Sequence, residues 1–157
     1  MAERSEALAA KFEAANNDVI ATIEAASDEQ WKTVCADEGW SGGVVAHHIG
    51  GGHPLIAGLV QGLASGADIP PLTSEQLDQA NAQHANDHAN CTKEETLEML
   101  RTGGSTAASA VRGLTDEQLD RSSTVIAGAP DMTVEQVIEN VMIGSVTGHH
   151  ASIKKAI

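Results

Sequence analysis

Seven histidines in a chain of 157 residues carry most of its chemistry: His47, His48, His53, His84, His88, His149 and His150. Neutral imidazole is the commonest protein ligand for zinc, nickel and iron, and a catalytic site typically takes three protein ligands and leaves a position for water or substrate. Spacing sorts the seven. His48 falls on the stripe Val45, His48, Gly52, Leu55, Leu59 and Leu63, and His149 on the stripe Val134, Ile138, Val141, Ser145, His149 and Ser152. Two packed helices would aim both at one internal site. His47 and His150 lie about 100° further round and read as helix-edge or solvent positions. His53, beside Pro54, is not placed by this pattern. The competing reading of the inward pair is two neutral core histidines, each satisfied by a carbonyl, a hydroxyl or a water.

His84 and His88, in "HANDH", are spaced i, i+4, which lets two imidazoles on one helix reach one ion. With Asn81 they continue a polar line that would face a bound substrate; the alternative is a solvated or subunit-facing side of an Ala-rich helix. Ser145 and His149 are one turn apart, but no "GxSxG" elbow and no strand to carry one accompany them, which argues against serine nucleophile chemistry. Cys35 and Cys91 lack a "CxxC" spacing and read as small buried or loop residues.

The elements that must position these groups are helices. A Ser or Thr followed three residues later by Gln or Glu recurs at Ser27/Gln30, Thr73/Gln76, Thr92/Glu95, Thr115/Gln118 and Thr133/Gln136. That is the capping-box signature of a helix start. Apolar periodicity, led by Leu8, Phe12, Ala15, Val19 and Ile23, predicts long helices over 4–26, 41–64, 74–113 with a break near "NCTKE", and 133–155. Short turns are expected at 27–34 and in "GLTDEQL", and flexible connections in "SGADIPPLT" and "SSTVIAGAPDM". Gly50, Gly51, Gly52 and Pro54 predict a kink or a close helix contact. The expected architecture is all-α: one domain over 1–157, an antiparallel four-helix bundle with short extra helical turns.

Composition narrows the function classes. Nine Lys and Arg against 22 Asp and Glu give a formal charge of −13, which would repel nucleic acid and anionic membrane surfaces. Aromatics are 2%, so the core must come from Ala, Val, Leu and Ile. The N-terminus lacks the apolar segment of a signal peptide and no run of about 20 apolar residues occurs, so the expectation is a soluble cytoplasmic protein without a membrane partner.

At "WSGGVVAHHI" the chain resembles the DinB/YfiT superfamily of four-helix bundles, in which a Trp-Ser pair opens the second helix and a metal-binding histidine follows eight residues after the Trp. The resemblance continues through "TKEETLEMLRTGG", "GLTDEQLDR", "MTVEQVIE" and "HHASIK". It implies that His48 is a metal ligand. It further implies an "HxxxH" pair on the last helix, where His149 takes the second position and Ser145 stands at the first. The implied cofactors are a divalent transition metal (zinc, nickel or iron) and a low-molecular-weight thiol such as mycothiol or bacillithiol. The implied activity is that of a metal-dependent thiol transferase or hydrolase acting on a small molecule, with one metal ligand replaced by serine. Two alternatives stand beside it: a metal-free bundle that binds a small ligand, and a structural or regulatory homodimer.

Overall fold

The computed structural model describes residues 3–157, and helices dominate it. In order they are α1 (Glu3–Ala25), α2 (Asp28–Lys32), α3 (Gly42–Ala64), α4 (Ser74–Asp87), α5 (Lys93–Arg112), α6 (Asp116–Leu119), α7 (Val134–Val137) and α8 (Gly144–Ala156). A π-helical stretch, Ile138–Ile143, joins α7 to α8 without a break. Two-residue ladders were not anticipated: β1 (Val34–Cys35) pairs with β2 (Trp40–Ser41), and β3 (Ser122–Ser123) with β4 (Met132–Thr133), both antiparallel. The first ladder closes through Gly39, whose φ of +74° is the left-handed conformation that glycine adopts at no steric cost.

The helix starts form as the spacing predicts. Ser27, Thr73, Thr115 and Thr133 each make a complete capping box with the Gln three residues on. Thr92 accepts from the backbone of Glu95, and Ser41 caps α3 by accepting from Val44.

Helix α5 packs on both α1 and α3, and α8 on both α3 and α1, which closes a ring of four around the apolar core. Cross-links give the directions. Arg112 meets Glu6 and Glu13 while Arg101 meets Glu24, so α1 and α5 are antiparallel. Cys91 lies on Gly43, and Gly103 lies on His53, so α3 and α5 run the same way. Arg4 bonds Glu135 and Thr22 bonds His150, so α1 and the C-terminal helix also run together. The mixture follows from connection length: α4 returns the chain from the end of α3 to its beginning before α5 starts, as long crossovers do in bundles. The glycines of α3 serve close approach, since a Cβ on Gly50 would stand 3.3 Å from Met99 Cβ.

The π-helical stretch corrects the stripe expected for the last helix. Its i→i+5 bonding takes more residues per turn than an α-helix, so the buried phase slips by one position. Val134, Val137, Ile138 and Met142 are buried before and within it, and Val146, His150 and Ile153 are buried after it. His150, expected at an edge, is therefore in the core region, and Ser145 and His149 turn to the flank. In α3 the buried line is Ile49, His53, Ala57, Val60 and Ala64, whereas Leu55, expected inward, is 76% exposed.

Candidate metal and ligand site

Five of the seven histidines converge where the start of α3, the end of α4, the β1–β2 turn and α8 meet. His47, expected at the helix edge, is only 2% exposed because α4 covers that side of α3. Its Nδ1 lies 2.8 Å from Nε2 of His84, and the His88 ring stacks on it at 4.2 Å. One ligand nitrogen from each of His47, His84 and His88 falls within 4.8 Å of the other two. The same three rings that sequence spacing divided between a solvent edge and a substrate face thus form one cluster.

The hydrogen bond between His47 and His84 leaves the far nitrogen of each ring without a partner. If His47 and His84 simply bond to each other, one N–H and one lone pair remain buried and unpartnered, and Nε2 of His47 and Nδ1 of His84 are indeed both without a partner. If both facing nitrogens instead direct lone pairs at an ion, Nε2 of His47 carries its proton on the side of Glu95, whose Oε1 is 3.9 Å away and beyond hydrogen-bond reach, and Nδ1–H of His84 still has no partner. Burial pushes His47 below the usual histidine range, and burial together with the neighbouring histidines takes His84 down to about 4. Neutral rings at ordinary pH are the form that binds metal. The donor set fits a divalent transition ion.

On the other side of α3, His48 and His149 come together as the sequence predicts, with ring centroids 5.0 Å apart at 89°. Trp40 stands edge-on to His48 at 5.5 Å, and His48 also meets His84 at 5.2 Å, so it connects the two groups. Burial, followed by the proximity of His149, lowers His48 to about 4. Nδ1 of His149 lies 3.0 Å from Oε1 of Glu38. A carboxylate oxygen accepts, so Nδ1 of His149 carries a proton and donates it to Glu38. Oε2 of Glu38 is buried without a partner. Glu38 is not singled out by the sequence; its only signal is the turn-forming "DEG" immediately before Trp40.

His48, Ser145 and His149 all line a cavity of about 510 Å³ bounded by α3, α4, the β3–β4 connection and the C-terminal helix. Its walls are mostly aliphatic, with Leu59, Ile126, Val141, Met142 and Val146 among them. Asn81 reaches both this cavity and the smaller pocket around the histidine trio, and His84 and His88 line only the latter. His53 lines the cavity as well, but its Nε2 is held by Asn16. Burial pushes Cys35 up to about 11 and also raises Cys91, so both favour the thiol over the reactive thiolate. Among the described residues no helix is long and apolar enough to cross a membrane.

No curated protein and no solved structure matches the chain. A family model does match: the mycothiol maleylpyruvate isomerase N-terminal domain, over residues 12–142. The matched segment holds His47, His48, His84 and His88 and stops short of Ser145 and His149. Covering well over half of the sequence and agreeing with the helical fold, it shows that the chain belongs to the mycothiol maleylpyruvate isomerase N-terminal domain family, within the DinB/YfiT-like superfamily of helical bundles.

Proposed function

We propose that this chain is a metal-dependent enzyme of the thiol transferase or hydrolase type, with its ion on His47, His84 and His88 and its small-molecule ligand in the adjoining cavity. The observation that carries the reading is the trio itself, three imidazoles each with a ligand nitrogen within 4.8 Å of the other two. It is a fuller donor set than His48 and His149 with Ser145, because a neutral hydroxyl is a poor transition-metal ligand beside imidazole. The chemistry that a divalent ion supplies when bound is a lowered pKa for a coordinated thiol or water.

The chain's own residues supply the rest. Glu38 accepts from Nδ1 of His149 and so fixes the ring on the cavity wall, where it faces a group entering the cavity. Neutral His48 separates the trio from the cavity and can pass a proton between the two. Asn81 and Ser145 offer neutral hydrogen bonds that orient the ligand. The family's name carries a thiol, mycothiol, and a small acid, maleylpyruvate; a low-molecular-weight thiol is the co-substrate this reading favours.

Elemental analysis of the purified protein tests it. One zinc, nickel or iron ion per chain is expected, lost in His84→Ala and His88→Ala and retained in His48→Ala. Loss in His48→Ala and His149→Ala alone would return the ion to the pair implied by the superfamily resemblance. Metal in none of these proteins would leave a ligand-binding bundle without metal chemistry, the reading that the large apolar cavity then favours.

A further inference from the structure

We infer that the cavity beside the histidine trio takes a monocarboxylic acid with an apolar body, and that the carboxylate is recognised by the ion on the trio instead of by a cationic side chain. The inference rests on reading His47, His84 and His88 as the ion's ligands, and it specifies the class of molecule that this site takes.

The body follows from the walls. At about 510 Å³ the cavity lies within the range of roughly 300–1,000 Å³ that encloses small-molecule ligands. Leu59, Ile126, Val141 and Val146 give it aliphatic faces from three segments of the chain, against which an aryl or alkyl group is removed from water. His48, Gly52, Leu55, Ala80 and Asn81 line both this cavity and the pocket of the trio. A body that fills the cavity therefore presents its head toward the three imidazoles.

The head follows from charge. Among the described residues no lysine or arginine lines either pocket. In the metal-free chain a carboxylate has no cationic partner there, and burying an ionised group unpaired is strongly unfavourable. An ion on the trio reverses that balance. Imidazole ligates in its neutral form, and the cluster holds three histidines and no carboxylate, so a divalent ion on it keeps its full charge. Glu95, on the same pocket's wall, approaches His47 on the side of Nε2, the nitrogen turned away from His84. An anionic head thus suits the position that three protein ligands leave open, and a five-coordinate ion leaves another for the thiol or water. Asn81 favours a carboxylate among such heads. It stands on the wall shared by both pockets, where its amide N–H can donate to one carboxylate oxygen while the other faces the ion.

The test is isothermal titration of the full chain, zinc-loaded and after chelation, with zinc content read on the same samples. The probes are 2-naphthoate; 2-naphthalenemethanol, which has the body without the charge; and acetate, which has the head without the body. Naphthoate is expected to bind the zinc-loaded chain at least about tenfold more tightly than the chelated one and at least about tenfold more tightly than acetate does, whereas the alcohol should change by less than about threefold between the two forms. Leu59→Trp and Ile126→Trp, which fill the cavity from different walls, should each bring naphthoate down toward acetate and leave the zinc in place. Zinc held with naphthoate unbound or indifferent to it, or with acetate bound as tightly as naphthoate, would overturn the inference and leave the metal reading standing. A chain that holds no zinc would overturn both.

Discussion

Nε2 of His53 donates to Oδ1 of Asn16 across 2.7 Å, and Nδ2 of the same asparagine donates to the carbonyl of Leu100 at 2.8 Å, so one buried chain of polar atoms links α3, α1 and α5. Phe12 stands edge-on to the imidazole at 5.1 Å. Because Asn16 presents its amide nitrogen to Leu100, its oxygen must face His53, which fixes the imidazole as the Nε2–H tautomer.

Stability should therefore fall in mild acid. Burial lowers His53 to about 4 from an ordinary value of 6.5, so the unfolded chain takes up the proton first. The contribution is fully present above the unfolded value and is lost as pH falls from there through the folded one. It amounts to up to about 3 kcal/mol, with His48 and His84 adding in the same direction. Urea midpoints measured between neutral pH and the folded value should drop accordingly. His53→Leu, less stable at neutral pH by about 1–3 kcal/mol because Oδ1 of Asn16 loses its donor, should show a shallower fall.

Gly104→Ala should destabilise the chain through the same network. A Cβ at Gly104 would overlap the amide of Asn16, which cannot withdraw without releasing Leu100 and His53. The expected cost is about 1–3 kcal/mol by urea unfolding, despite the better helix propensity of alanine. Gly58→Ala, where a Cβ meets nothing within 4 Å, is the control and should be neutral or stabilising.

Ser145→His should add a ligand to the pair on the cavity wall. Ser145 lines that wall with His48 and His149, so a third imidazole can reach the two already there. Metal affinity at this position should rise at least about tenfold, on the order of 1.4 kcal/mol. Competition titration against a chromogenic chelator reads it, and an unchanged affinity would show that position 145 is not aimed at His48.

Chelation should loosen α4. None of its side chains is buried, and its C-terminal turn is tied to α3 through His84 and the neighbouring His88. Hydrogen exchange of amides 78–88 should accelerate when metal is withdrawn, while α1 and α5 amides, backed by the core, keep their protection. Uniform exchange in both states would mean that α4 is held by its own contacts.

Much of the bundle is legible in the residues themselves. Capping pairs such as Thr73/Gln76 and Thr133/Gln136 start helices where expected, because a cap is a local bond between groups three residues apart. The meeting of His48 with His149 is legible only in part: the two helices do pack together, but His149 reaches His48 from the flank of the last helix and not from its buried line.

The phase of the last helix and the fate of His47 needed the tertiary structure. Simple periodicity assumes unbroken α-helical turns, and the π-helical stretch Ile138–Ile143 breaks that assumption, sending His150 inward in place of His149. His47 looks solvated on an isolated α3; it is buried because α4, joined by a loop whose path no local rule dictates, brings His84 and His88 against it. Glu38 reaches His149 only because the short β1–β2 ladder folds its turn toward α8. Caps and stripes are properties of neighbours in sequence, and so the sequence by itself determined the helices. The histidine trio and the Glu38–His149 bond join residues 37 and 111 positions apart, and packing alone decided them.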